Sequence, residues 1–347
     1  MKIIAPHWLF ALAALAAPFG VAADAPAGLQ HAAVFTAYTP LAGSAEQMHP
    51  LLSPLTTWRM RQRLFQNHQR LDAQAIDLAQ ERFVLYVPPH APPPEGYTLL
   101  VFVPPWQETR VSPQWIPVLD RGDTILVSAA HSGNDADVLN RREPLAILAA
   151  YNVMQRYHVD PQRVYVGGFS GGSRVALRLA LAYPDLFRGA LLEAGSDPIG
   201  SAQIPLPPPD LMNRFQQDSR VVYFTGEEDV LHQAEDARSR ESLKTWCVFD
   251  VDVQSMRRTG HELADGQNFS RALKSLQKRA SPDAGKLAAC RAGIRQSVSA
   301  QLDQAEKLTG QGKADAARKL LEQIDEHYGG LAAPRTVMLM QRVTPDR

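Results

Sequence analysis

The sequence predicts an α/β fold: a mostly parallel central sheet flanked by helices, with a C-terminal helical hairpin appended. Three observations predict it. Apolar, β-branched runs alternate with helical stretches from residue 124 to residue 279, the pattern a parallel sheet with crossover helices demands. Runs such as Leu99-Leu100-Val101-Phe102-Val103 are apolar at successive positions, as in a strand covered on both faces. The pentapeptide Gly168-Phe169-Ser170-Gly171-Gly172 stands between one such run, Arg163-Val164-Tyr165-Val166-Gly167, and a helical stretch beginning at Ser173.

The elements follow in order. Residues 1–23 have the layout of a secretory signal: Lys2, an apolar stretch at 8–17, the breakers Pro18 and Gly20, and small residues at Ala22 and Ala23. The stretch is short and proline-interrupted for a membrane span, and no cysteine follows that would take a lipid. Export to a periplasm or the exterior is expected. Residues 24–80 hold few periodic signals and read as a preamble that ends in a short helix at 70–80. The main domain occupies 81–280. Strands are expected at 82–87 and 98–103, joined by a proline turn and paired as an edge hairpin. Strand–helix units follow at 124–129 and 144–157, then at 163–167 and 171–183. A strand at 189–193 leads into a proline-rich insertion at 198–210. Two further units lie at 221–225 and 234–246, and at 248–255 and 267–279.

Residues 281–347 differ in character. Two amphipathic helices, 286–308 and 314–327, meet at Gly310-Gln311-Gly312, in a pattern similar to a single tetratricopeptide hairpin. One such repeat cannot bury its own apolar face. It either packs on the main domain or offers a contact to a protein partner. Cys247 and Cys290 either pair in an oxidising compartment, tying the two regions together, or remain buried thiols.

The chemistry resides in the glycine-rich turn. A strand, Gly-x-Ser-x-Gly and a helix in succession form a nucleophile elbow. Side chains at positions 168 and 172 would collide with neighbouring backbone, and Ser170 is left at the apex beside the amide of Gly171. A serine hydroxyl needs a base to take its proton and an acid to orient that base. On this architecture they come from strand-end loops in the order serine, acid, histidine. Asp229, in Gly226-Glu227-Glu228-Asp229 after the strand 221–225, is the best-placed acid; Glu227, Glu228 and Asp236 compete. His261, after Gly260 in the loop past the last core strand, is the candidate base. His232 is a rival, but it precedes the strand that should deliver the base. An oxyanion hole would draw one amide from Gly171 and one from the loop Pro104-Pro105-Trp106-Gln107. Prolines carry no N–H, so Trp106 or Gln107 must supply it, with Trp106 preferred. The Trp106 ring either walls a substrate pocket or packs in the core. In His131-Ser132-Gly133-Asn134-Asp135, followed by Arg141-Arg142, Asn134 either touches substrate or caps the next helix.

Charge is balanced, with 36 Lys and Arg against 36 Asp and Glu, so no net field favours nucleic acid or an anionic membrane. There is no His-Glu-x-x-His and no clustered Cys/His spacing, and residues 167–172 lack the lysine of a phosphate-binding loop. No metal and no cofactor are expected. Specific pieces carry a resemblance: residues 163–172, Ala182-Tyr183-Pro184-Asp185-Leu186-Phe187-Arg188-Gly189, Gly226-Glu227-Glu228-Asp229 and Gly260-His261, with Asp160-Pro161 ahead of the elbow strand. Over 81–276 the chain resembles an α/β-hydrolase. Within that superfamily it is similar to exported esterases grouped with polyhydroxybutyrate depolymerases and feruloyl esterases. The resemblance implies a nucleophile at Ser170, an acid at Asp229 and a base at His261. Many relatives carry His-Gly where this chain has Pro104-Pro105. The expectation is an exported serine hydrolase cleaving a small or polymer-derived carboxylic ester. The alternatives are a peptidase of the prolyl-peptidase type and a non-catalytic adaptor using the C-terminal helices.

Overall fold

A computed structural model of the chain describes residues 26–344 except 72 and 279. The expected signal at 1–23 lies outside the described residues. Eight strands form one sheet: β1 (Gly28–Ala33), β2 (Phe83–Val87), β3 (Tyr97–Val103), β4 (Thr124–Ala129), β5 (Val159–Phe169), β6 (Gly189–Glu193), β7 (Arg220–Gly226) and β8 (Val251–Met256). Their spatial order is β1-β2-β4-β3-β5-β6-β7-β8. The pairs β1/β2 and β2/β4 are antiparallel, and all others are parallel. Every residue of β2, β3, β4 and β6 is buried, whereas the edge strands β1 and β8 are partly exposed. Alternation divides the core. Leu99, Val101 and Val103 face one layer, and Leu100 and Phe102 face the other.

The helices are α1 (Ser44–Leu51), α2 (Pro54–Gln66), α3 (Ile116–Arg121), α4 (Glu143–Arg156), α5 (Gly171–Ala182), α6 (Pro209–Asp218), α7 (Val230–Thr245), α8 (Gly266–Leu276), α9 (Ala284–Gly310), α10 (Ala314–Tyr328) and α11 (Arg335–Val343). α3 and α8 cover one face through Val118, Leu119, Phe269 and Leu273. α4, α5 and the C-terminal helices share the core on the other. Among the described residues no helix is long and apolar enough to cross a membrane.

Three local expectations need correction. β2 and β3 do not form a hairpin, because β4 lies between them and pairs with both. Phe83-Val84-Leu85-Tyr86-Val87 is buried throughout, so it needs a neighbour on each side, and β1 supplies the second. No helix forms among the described residues of 70–80. There Gln74 Oε1 accepts from Ile76 N at 3.0 Å and Asp77 Oδ1 from Ala79 N at 3.1 Å, short-range bonds that favour turns. The stretch 24–80 also holds β1, α1 and α2, the last opened by a Ser53 N-cap and Pro54 in its first turn.

The C-terminal helices pack on the main core: Val298, Leu302, Leu321, Ile324 and Leu339 belong to the same apolar cluster as the sheet face. Asp325 of α10 accepts from Leu55 N at 2.9 Å and from Ser53 Oγ, fixing the start of α2. A disulfide joins Cys247, just past α7, to Cys290 in α9.

Candidate active site

The elbow forms where β5 ends at Phe169 and α5 begins at Gly171. Ser170 between them has φ 54° and ψ −123°, a conformation costly for a residue with a side chain. The turn is held from both sides: Ser170 N donates to Glu193 O of β6 at 2.8 Å, and Ser170 O accepts from Ser173 N at 3.0 Å. A Cβ at position 168 would lie 2.3 Å from the carbonyl carbon of Gly172, and one at 172 would lie 1.9 Å from Val103 O of β3. Neither position admits a side chain.

Asp229 lies in the turn after β7, where its amide donates to Gly226 O at 3.1 Å, and it is 7% exposed. His261 lies in the loop after β8. The structure brings both to the elbow. His261 Nδ1 is 2.7 Å from Asp229 Oδ2, and His261 Nε2 is 3.1 Å from Ser170 Oγ. With Nδ1–H donating to the carboxylate, Nε2 presents its lone pair to the serine O–H. Burial pushes the Asp229 carboxyl up. The hydrogen bonds and electrostatic attraction of His232 and His261 outweigh it and hold the group below its ordinary value. The competing acids lie elsewhere. Glu227 and Glu228 are exposed. Asp236 is buried against the Thr225 hydroxyl and pushed up to about 6, chiefly by burial.

His232 is closer to this chemistry than its place in the sequence suggests. One turn into α7, its Nδ1 lies 2.7 Å from the other oxygen of Asp229, Oδ1. Its ring stacks on that of His261, with centroids 4.1 Å apart and planes 14° apart. On its other side His261 stacks on Phe169 at 4.8 Å. The His261 ring is therefore sandwiched between two rings, and the Asp229 carboxylate is shared by two imidazoles. The three-residue spacing of Asp229 and His232 at a helix start was the signal that could have revealed this. The ligand atoms of Asp229, His232 and His261 lie within 4.8 Å of one another, a spacing that would suit a metal ion. Both Nδ1 atoms, however, already face separate carboxylate oxygens.

The loop carrying His261 is anchored three residues on. Ala264 N donates to Glu193 Oε1, and Ala264 O accepts from Trp115 Nε1 at 2.8 Å. Trp115 in turn stacks on Phe269 at 4.0 Å. Glu193 is fully buried at the end of β6, and burial pushes its carboxyl well above the ordinary range. Neither Glu193 nor Trp115 carried a legible signal of this role.

The Trp106 ring lies 6.0 Å from that of Phe169. Trp106 Nε1 is buried without a hydrogen-bond partner among the described residues. The loop is tied down through the prolines' carbonyls: Asn134 N donates to Pro105 O at 2.9 Å, and Arg142 Nη2 to Pro104 O at 3.0 Å. Arg142 Nε also donates to Ser132 O at 2.9 Å, so one buried guanidinium joins the two loops, and burial lowers its pKa to about 10. Arg141 pairs with Glu81 through both terminal nitrogens, at 2.9 and 2.7 Å. Asn134 does not cap the next helical turn, Val138–Arg142. Asp137 does, accepting from Asn140 N at 2.7 Å. The exposed Asn134 side chain instead lies over Gly171, where an added Cβ would come within 2.1 Å of its Oδ1.

No protein-family model matches the chain, and no curated protein matches it. Solved structures similar to it include a poly(3-hydroxybutyrate) depolymerase from Bordetella parapertussis, at 18% identity over 60% of this chain and 88% of that one, with a TM-score of 0.43. An S-formylglutathione hydrolase from Staphylococcus aureus is 12% identical over 57% of this chain and 93% of that one, with a TM-score of 0.46. A candidate dipeptidyl aminopeptidase IV from Bacteroides ovatus is 14% identical over 56% of this chain, with a TM-score of 0.42, and the match spans 32% of that longer protein. The mostly parallel eight-stranded sheet, the strand–Ser170–helix elbow and the chain order serine, aspartate, histidine give this chain the α/β-hydrolase fold.

Proposed function

We propose that the protein is an exported serine hydrolase that cleaves carboxylic esters through an acyl-enzyme. The observation that carries this is the unbroken chain of hydrogen bonds from Ser170 Oγ to His261, at 3.1 Å, and from His261 to Asp229, at 2.7 Å. Ser170 Oγ attacks the ester carbonyl carbon while its proton passes to His261 Nε2. Asp229 holds the imidazole in that tautomer and balances the imidazolium. The carbonyl oxygen becomes an oxyanion met by the amide of Gly171, free because the first amides of a helix have no intrahelical partner, and by an amide of the Trp106 loop. When the tetrahedral centre collapses, His261 gives its proton to the departing alkoxide. Water then repeats the sequence, with His261 as base, and the carboxylic acid leaves.

Export is supported by the apolar stretch at 8–17 and by the Cys247–Cys290 disulfide, which suits an oxidising compartment. The motif resemblance favours an ester of polymer or plant-phenolic origin over an amide.

The test is active-site labelling with a fluorophosphonate and a burst of chromophore from p-nitrophenyl acetate. Both are expected in the folded protein and both are lost in Ser170→Ala. Folded protein that takes no label at Ser170 and shows no burst overturns the reading.

A further inference from the structure

If Ser170 is the nucleophile, the rest of the ester needs a place beside it. A cavity of about 990 Å³ opens against Gly171 and Asn134, the immediate neighbours of the elbow. One side is the first turns of α5, at Arg174, Val175 and Arg178; another is the turn Val138–Arg142. The far wall comes from outside the hydrolase core, from α2 at Leu55 and Arg59 and from α10 at Glu322 and Asp325.

The lining has a definite chemistry. Leu51, Leu52, Leu55, Val138, Leu139 and Val175 give it an apolar surface. Its charged groups are largely matched among themselves. Arg59 pairs with Glu322 at 2.6 Å across the wall, Arg178 with Glu143 at 2.7 Å, and Arg174 with Asp197 at 3.3 Å and Glu235 at 2.5 Å. Asp325 is occupied by Ser53 and Leu55 N. Arg142 has both loops' carbonyls. An anionic substrate would have to break such a pair and shed its own hydration. An uncharged apolar chain displaces water from apolar walls and needs neither. A cavity of this size is far larger than an acetyl or methyl group requires.

We infer that this cavity is the chain subsite of the enzyme and takes one long, uncharged, largely apolar arm of the ester, with α2 and α10 as its outer wall. This deepens the esterase reading and rests on it for the chemistry, but not for the binding. Each methylene buried in an apolar site strengthens binding about two- to fourfold, so the subsite would reveal itself as chain-length selectivity.

The experiment has two parts, both on the full-length protein. In the first, kcat/KM is measured for p-nitrophenyl esters from acetate to decanoate, and for acetates of alcohols lengthened over the same range. The two series distinguish an acyl arm from an alcohol arm. One of them is expected to rise at least about thirtyfold and then level off as the cavity fills. A carboxylate at the chain end is expected to cancel most of the gain. Leu52→Asp and, separately, Leu139→Asp are expected to lower the long-to-short ratio at least about tenfold. That ratio is insensitive to partial loss of folded protein. In the second part, an uncleavable decyl ether is titrated calorimetrically into Ser170→Ala. It is expected to bind with a negative heat-capacity change, and Leu52→Asp is expected to weaken it. Flat profiles in both series, with acetate still hydrolysed, overturn the subsite and leave the esterase standing. Absence of turnover and label with the ether still bound does the reverse. Absence of ether binding overturns the subsite whatever the chemistry.

Discussion

The rim of the sheet and the helical wall facing it are held together in different ways. At the rim, short-range forces set each position: a strained serine between two obligatory glycines, an aspartate in a tight turn, and an imidazole pressed between Phe169 and His232. The His261 loop is fastened to β6 through Glu193 and to the core through Trp115. The wall depends on ties that join α2 to α10, 263 to 272 positions apart: Asp325 to Ser53 and Leu55, and Arg59 to Glu322. On the proposed function, the comparison teaches that reactivity and selectivity are built separately in this molecule. Rim changes should alter turnover of any substrate, and wall changes should alter which substrate is chosen and how well the helices stay docked.

Four measurements would break or sharpen that division. The largest effect is expected from Ser170→Ala, which should lower kcat on p-nitrophenyl acetate by at least about a thousandfold while leaving the unfolding midpoint unchanged or slightly raised, since it removes no core contact. Next is removal of the disulfide by paired Cys247→Ser and Cys290→Ser substitution. A closure across a sequence separation of 43 residues is worth up to about 4 kcal/mol in the chain-entropy account. Denaturant unfolding should show that loss, with acetate turnover at low temperature retained.

The third concerns pH. Asp236 is raised from 3.8 to about 6 by burial, against the opposing Thr225 hydrogen bond and the charges of Arg240 and His232. Its folded value lies above its unfolded one. Its contribution is therefore complete below about pH 4 and disappears as pH rises through about 6, a swing of up to about 3 kcal/mol. Asp236→Asn keeps an acceptor for Thr225 and should flatten the stability profile between pH 4 and 7 in urea titrations. A profile as steep as the parent's would assign the swing to another group. The smallest effect is expected from His232→Ala, which removes one of the two donors on Asp229. It should lower kcat about ten- to fiftyfold with little change in KM, and His232→Asn, which keeps a donor, should restore part of it. An unchanged kcat in folded His232→Ala would confine the carboxylate's useful contact to His261.

The sequence made the rim more legible than the wall, for a physical reason. Strand order and the short loops after β5, β7 and β8 leave few places for Ser170, Asp229 and His261 to go, so their order along the chain nearly specifies their convergence. His232 was legible in principle, because three residues of helix put it on the same side as Asp229. Its place before β8 argues against a base, but not against a second donor to the same carboxylate. Glu193 gave no signal, since a glutamate ending an apolar strand looks the same whether it faces water or is sealed beneath a loop. The expected β2/β3 hairpin failed because partner choice depends on how many sides of a strand must be covered, a property of the assembled sheet. Asp325 and Ser53 are 272 positions apart, and nothing local to either announces the other.

The Asp325–Ser53 tie also joins the two segments that close the proposed subsite. Its outer boundary is contributed by residues 51–59 and by residues 322–326, so no partly synthesised or partly threaded polypeptide lacking the later segment can present it. A nascent chain would already hold Ser170, Asp229 and His261, yet it would lack the outer wall of the proposed subsite until α10 had arrived and docked.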